Sequence, residues 1–111
     1  MNYCEKQETL WFIRGHADRR KELDKARREG RNDVHTRALE TKIAVVTKAL
    51  EQTGIDIDSP PLRNELRQAI LLNIYNRKQF PYGRLYIVGI SRDAFYQYRN
   101  AFIAAVALHL I

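Results

Sequence analysis

Apolar positions recur along the chain at helical spacing, and the few glycines and prolines fall where those runs break. From about Lys6 to Arg28, Leu10, Ile13 and Ala17 share one face before a strongly charged second half, and Gly30 marks the end, so a single first helix is predicted. A second helix is predicted to begin after Asn32 or Asp33, whose side-chain oxygens can cap exposed backbone N–H groups, and to stop at Gly54. Within it Leu39, Ile43, Val46 and Leu50 step by 4, 3 and 4, the seam spacing of a helix that packs lengthwise on another. Only a few residues around Gly30 join these helices, which makes them an antiparallel pair.

Consecutive prolines in Ile55-Asp56-Ile57-Asp58-Ser59-Pro60-Pro61 force extended geometry on what precedes them, so 55–61 reads as a linker that ends at a new helix start. The third helix, from about Leu62 to Arg77, is apolar over much of its circumference through Leu62, Leu66, Ala69, Ile70, Leu71, Leu72 and Ile74, and is read as the central core helix. Phe80-Pro81-Tyr82-Gly83 is a turn. Arg84 to Val88 has the β-branched and aromatic content of a strand, but one short strand without a partner is unstable, and a short helix is preferred there. Ser91 then caps a last helix running to about Leu108, with Phe95, Tyr98, Phe102, Ala105 and Val106 facing inward. The fold class is all-α: one domain over 1–111, with a helical pair over 1–54 and a helix-turn-helix region over 62–111.

A short helix, a turn containing Gly89 and a capped helix with a polar outer side form the pattern of a helix-turn-helix. Gly89 supplies the φ > 0 the turn requires, and Leu85, Val88, Ile90, Phe95 and Tyr98 are expected to knit the two helices together. The outer side carries Arg92, Asp93, Tyr96, Gln97 and Asn100. In a major groove Gln97 and Asn100 can pair with adenine edges and Arg92 with guanine or phosphate, while Ser91 at the helix N-terminus suits a phosphate. Arg84, Arg99 and Lys78 are the expected phosphate contacts, Arg99 with the alternative of turning toward the protein. The plainer reading is that Gly89 is a helix C-cap and the polar residues a solvated face.

Charge favours the first reading. The 111 residues carry 19 Lys plus Arg against 13 Asp plus Glu, a net +6 that points to an anionic partner, with double-stranded DNA foremost. Residues 60–111 hold Arg63, Arg67, Arg77, Lys78, Arg84, Arg92 and Arg99 against only Glu65 and Asp93. The positive excess thus lies beside the expected reading helix. Arg19-Arg20-Lys21 and Arg27-Arg28 are instead interleaved with acids, and pairing along an exposed helix is expected there.

Ile90-Ser91-Arg92, Phe95-Tyr96, Tyr98-Arg99 and Phe102-Ile103 together resemble the C-terminal segment of phage late transcriptional regulators of the RinA and ArpU type. Leu10-Trp11-Phe12-Ile13-Arg14-Gly15 before a charged helix is similar to the same proteins. The resemblance covers about residues 62–108 and implies a region like sigma-factor region 4, in which the helix after Ser91 reads DNA through Arg92, Asp93, Tyr96, Gln97 and Asn100. It implies a transcriptional regulator of phage or prophage origin.

Enzymatic chemistry has little to rest on. His16, His35 and His109 are scattered, there is no phosphate loop, and the single Cys4 has no basic partner, so neither catalysis nor a metal or cofactor is expected. Asp56 and Asp58 read as turn or capping residues. Met1 to Glu8 lacks a secretory start, and the apolar run Phe102–Ile111 is too short to span a bilayer, so a cytoplasmic protein without a membrane partner is expected. The second-helix seam and the apolar C-terminus suggest a homodimer. The competing class is a helical module that binds a protein such as RNA polymerase without reading bases.

Overall fold

Four short polar side chains set the starts of the main helices in the computed structural model, which describes residues 1–110. The side chains of Asn2, Asp33, Ser59 and Ser91 accept hydrogen bonds from the backbone N–H groups of Glu5, Thr36, Leu62 and Ala94. Each such cap is worth about 1 kcal/mol. They open α1 (Tyr3–Arg14), α3 (Val34–Gln52), α4 (Pro60–Tyr75) and α6 (Arg92–Leu108); α2 (His16–Arg28) and the one-turn α5 (Tyr82–Leu85) complete the order. The described residues are helical with no strand, as the periodicity predicts. Ile111, the last residue of the apolar C-terminal run, lies outside the described residues.

The first helix is not continuous. It bends at Gly15, whose ψ of −3° departs from the helical value, so that α1 and α2 take different neighbours. α1 lies against α4 and α6, while α2 pairs with α3. The bend leaves Ala17, expected inside, exposed, and buries His16 instead. The antiparallel pair is therefore α2 with α3. Its turn closes as predicted at Gly30, where φ is +69° and the N–H groups of Gly30 and Arg31 return to the carbonyls of Arg27 and Ala26.

The main core joins Leu10 and Ile13 of α1, Val46 and Ala49 of α3, Leu66, Ala69, Ile70 and Ile74 of α4, and Phe95, Phe102, Ile103 and Val106 of α6, with Ile87 and Ile90 from the loop. Both halves of the chain thus share one core. α4 supplies much of it, although Leu72 faces out and the helix ends at Tyr75, two residues before the predicted Arg77. Removing a side chain such as Phe102 from this packing costs about 3–5 kcal/mol. The seam of α3 is consumed within the chain: Leu39 and Val46 are buried, and α3 touches α2 and α6. Ile43 and Leu50 of the same seam are half-buried.

Charge pairing also differs from expectation. The ion pairs among the described residues are Arg27–Glu40 at 3.7 Å and Arg31–Glu29 at 3.0 Å, and a side-chain hydrogen bond joins His35 Nε2 to Glu22 at 2.6 Å. The Arg27–Glu40 and His35–Glu22 contacts cross from α2 to α3 instead of running along α2, because the hairpin turns those faces toward each other. Arg19 leaves the charged cluster altogether: its Nη2 donates to the Phe12 carbonyl, and its Cζ sits 4.2 Å from the centre of the Phe12 ring.

Candidate nucleic-acid interface

The loop between α4 and α6 is fastened at several points before α6 begins. Buried Asn73 of α4 donates from Nδ2 to the Phe80 carbonyl at 2.9 Å, and the Tyr82 hydroxyl donates to the carbonyl of Ile90. The Tyr82 ring packs on Phe95 with centroids 5.5 Å apart. These contacts set where Ser91 starts α6. From the other side, the Tyr98 hydroxyl donates to Asp56 Oδ2 at 2.7 Å, which holds the linker against α6 and raises the Tyr98 pKa. Asp56 is thus an anchor for α6, a role its place in a proline-containing linker did not announce.

The first helix of the expected helix-turn-helix is reduced to one turn. α5 is a single turn, ended by Tyr86 in the left-handed region at φ +52°, and Gly89 adopts φ +93° as its predicted turn role requires. The stretch 84–88 is neither strand nor a full helix. Val88, expected between the helices, is 86% exposed, and Ile87 takes the inward place. The left-handed residue at 86 ends α5, so the helical spacing expected to carry Val88 inward no longer applies.

On α6, residues four and three apart share a face. Asp93, Gln97 and Asn100 form one exposed stripe, about a quarter-turn from the stripe of Arg92, Tyr96 and Arg99. Arg92 is exposed, Tyr96 is half-buried, and Tyr96 meets Phe95 edge-on with centroids 5.2 Å apart. Arg92 and Arg77 both stand near the Tyr96 ring, with Cζ atoms 5.9 Å and 5.4 Å from its centre. The Ser91 oxygen accepts from the Ala94 N–H at 3.1 Å, so it is engaged as the cap, and its hydroxyl proton is left as a donor. Asp93 in the same first turn complements the helix dipole and opposes an anion there. Lys78 and Arg84 are exposed on the preceding loop and α5.

Arg99 is the main departure. It is 7% exposed, and its Nε is buried with no hydrogen-bond partner. Burial lowers its pKa, and Arg77 and Arg14 lower it further, the Tyr96 hydroxyl alone opposing them. Its burial turns it toward the protein, not outward along a backbone. Arg67, counted in the basic half, is also engaged: its Nε and Nη2 donate to the carbonyls of Thr53 and Glu51 at 3.0 and 2.8 Å, closing the C-terminus of α3.

Two residues absent from the predicted set join the site. Arg14, in the last turn of α1, donates from Nε to the Ile74 carbonyl at 2.9 Å and so reaches the end of α4, from where its charge acts on Arg99. Arg77 follows α4 directly. The clustering of Arg77 with Lys78 in the basic half is a signal for the second; nothing local to α1 marks the first. Among the described residues the ion pairs lie within residues 22–40, so this arginine group has no carboxylate paired to it. No group of His, Cys, Asp and Glu able to hold a metal occurs among the described residues, and none of their helices is long and apolar enough to cross a membrane. No protein-family model, curated protein or solved structure matches the chain.

Proposed function

We propose that the protein binds double-stranded DNA as a transcriptional regulator, with the N-terminal half of α6 in the major groove. The observation that carries this reading is the exposed stripe of Gln97 and Asn100 beside Arg92, at the capped start of α6, in a half of the chain whose arginines form no ion pair among the described residues. A groove about 12 Å wide accepts one helix, amide side chains pair with adenine edges, and arginines contact phosphate or guanine. Gln97, Asn100 and Arg92 read bases; Arg84, Lys78 and Ser91 hold the backbone; Tyr96 keeps Arg92 in place. The motif resemblance to RinA- and ArpU-type phage regulators supports a phage or prophage origin and a bacterial cytoplasmic setting.

Exposed Tyr86 and Val88 at the loop tip favour a second reading, a module that grips a protein such as RNA polymerase. Duplex binding separates the two. On the DNA reading, affinity for duplex falls steeply as salt rises, and Arg84→Ala reduces the salt slope by about 1. Gln97→Ala costs about 1–3 kcal/mol on a selected site and relaxes preference at one position, read by binding to a randomised duplex pool. Absence of duplex binding at low salt by folded protein leaves only the protein-binding reading.

A further inference from the structure

Trp11, the only tryptophan of the chain, is 75% exposed, although tryptophan is highly buried on average in folded proteins. It lines an open notch of about 350 Å³ together with Arg14, Gly15 and Asp18, at the bend where α1 gives way to α2. Arg14 is fixed by its Nε, which donates to the Ile74 carbonyl at 2.9 Å, and its terminal nitrogens are left for another acceptor. Asp18 is exposed, and the ion pairs among the described residues use neither charge. Tryptophan and arginine are the residue types that most often dominate the binding energy of an interface.

The two charges limit what can cover the notch. Asp18 repels a polyanion such as a nucleic-acid backbone, and Arg14 repels a basic surface, so the occupant brings both signs in complementary positions. A second copy of the chain meets that condition through one operation, because in a two-fold contact residue i meets j and j meets i. We propose that this notch is the face through which two copies of the protein associate, with Trp11 of each copy seated in the notch of the other and Arg14 of each paired with Asp18 of the other. Antiparallel helices related by a two-fold between positions 14 and 15 also set exposed Glu8 of one copy opposite exposed Lys21 of the other, which continues the charge match. The face is neither the seam of α3 nor the apolar C-terminus, and its use does not depend on what α6 binds. One indole with charged neighbours makes a contact at the small end of specific interfaces, below about 1,200 Å² in total, so the dimer is weak and concentration-dependent.

Sedimentation equilibrium of the full chain, with tryptophan emission recorded on the same samples, tests the contact; Trp11 is the only indole, so the emission reports on this face alone. Between about 1 µM and about 1 mM the mass is expected to rise from monomer to dimer, and the emission to shift to shorter wavelength in step as the indole leaves water. Trp11→Ala, at an exposed position, abolishes the rise in mass. Asp18→Asn removes both pairs and weakens association about fivefold, and Asp18→Arg abolishes it. Arg14→Glu is monomeric as well, yet an equimolar mixture of Arg14→Glu and Asp18→Arg associates, because each supplies the charge the other lacks. A merely structural role for either residue gives no such rescue, and failure of the folded pair to associate overturns the proposal. Should Arg14→Glu not fold, the Asp18 series and Trp11→Ala decide the matter through the mass. A parent that stays monomeric across the range overturns the proposal. So does a dimer that Trp11→Ala and Asp18→Arg leave unchanged, which places the contact on another face, such as the apolar groove of about 520 Å³ lined by Met1, Ala104 and Leu108.

Discussion

Tyr86 holds a conformation that its side chain does not explain. Its φ of +52° lies in the region that costs an L-residue about 1–2 kcal/mol, and the ring is 84% exposed, so no packing offsets that cost. Glycine removes the steric conflict but loses more freedom on folding. Tyr86→Gly is therefore expected to leave stability unchanged or raise it by up to about 1 kcal/mol, measured by urea unfolding. A loss larger than that would show that the ring contributes to the fold after all. Residues of this kind mark the limit of what a linear pattern conveys. Gly89 announces its positive φ by having no side chain, and Ser91 announces a cap by its chemistry and place before an amphipathic run. A tyrosine in the left-handed region announces nothing, because the conformation is imposed by Tyr82 fastening to Ile90 around it. The inversion of Val88 and Ile87 follows from that one residue.

At the level of elements, the capped helices α3, α4 and α6 were legible, since apolar periodicity and caps agree in each. The break at Gly15 was not: a lone glycine within a helical pattern is often tolerated, and the reason to bend here is tertiary, α1 facing α4 and α6 while α2 faces α3. His16 at this junction gives the bend a measurable consequence. It is 3% exposed, and burial, followed by repulsion from Arg20 and Arg19, lowers its pKa from 6.5 to about 4. The unfolded chain therefore binds the proton that the folded chain refuses between those two values. Stability associated with neutral His16 is fully present above pH 6.5 and is lost as pH falls toward 4, by roughly 3 kcal/mol across the window. Urea unfolding at neutral pH and near pH 4.5 is expected to show this dependence in the parent and a flatter one in His16→Gln. Equal slopes in the two proteins would mean that carboxylates elsewhere set the acid sensitivity. The stripe of Asp93, Gln97 and Asn100 was legible in the same way as the helices, from spacing on one element. The burial of Arg99 was not, because it depends on how α1 and α4 pack against α6.

Across the whole molecule the helices do not share the core equally. Leu23, Ala26 and Leu39 are buried between α2 and α3 but stand apart from the main core, and the ion pairs beside them are exposed. Exposed pairs contribute about 0–1 kcal/mol each, so the outer end of the hairpin is held chiefly by three apolar side chains of modest size. The shape agrees: the radius of gyration is 15.0 Å and the longest extent 44 Å, against a radius of about 13 Å for an average domain of this length. Such an end should open on its own, without the unfolding of α4 and α6, whose residues Leu66, Ile70, Phe95, Phe102 and Val106 fill the main core. Native-state amide exchange is the measurement. Amides over about residues 20–40 are expected to exchange through a local opening that is insensitive to low urea, whereas those of α4 and α6 exchange only with global unfolding. Leu23→Ala should speed the first group markedly and shift the global transition by less than the 2–5 kcal/mol typical of a leucine deletion in a main core. If protection were uniform from α2 to α6, or if Leu23→Ala cost as much as Leu66→Ala, the hairpin would be an integral part of one cooperative unit. In the expected case, the proposed DNA-binding face of α6 stands on the most stable part of the fold, and under that proposal loosening of the hairpin leaves duplex affinity unchanged.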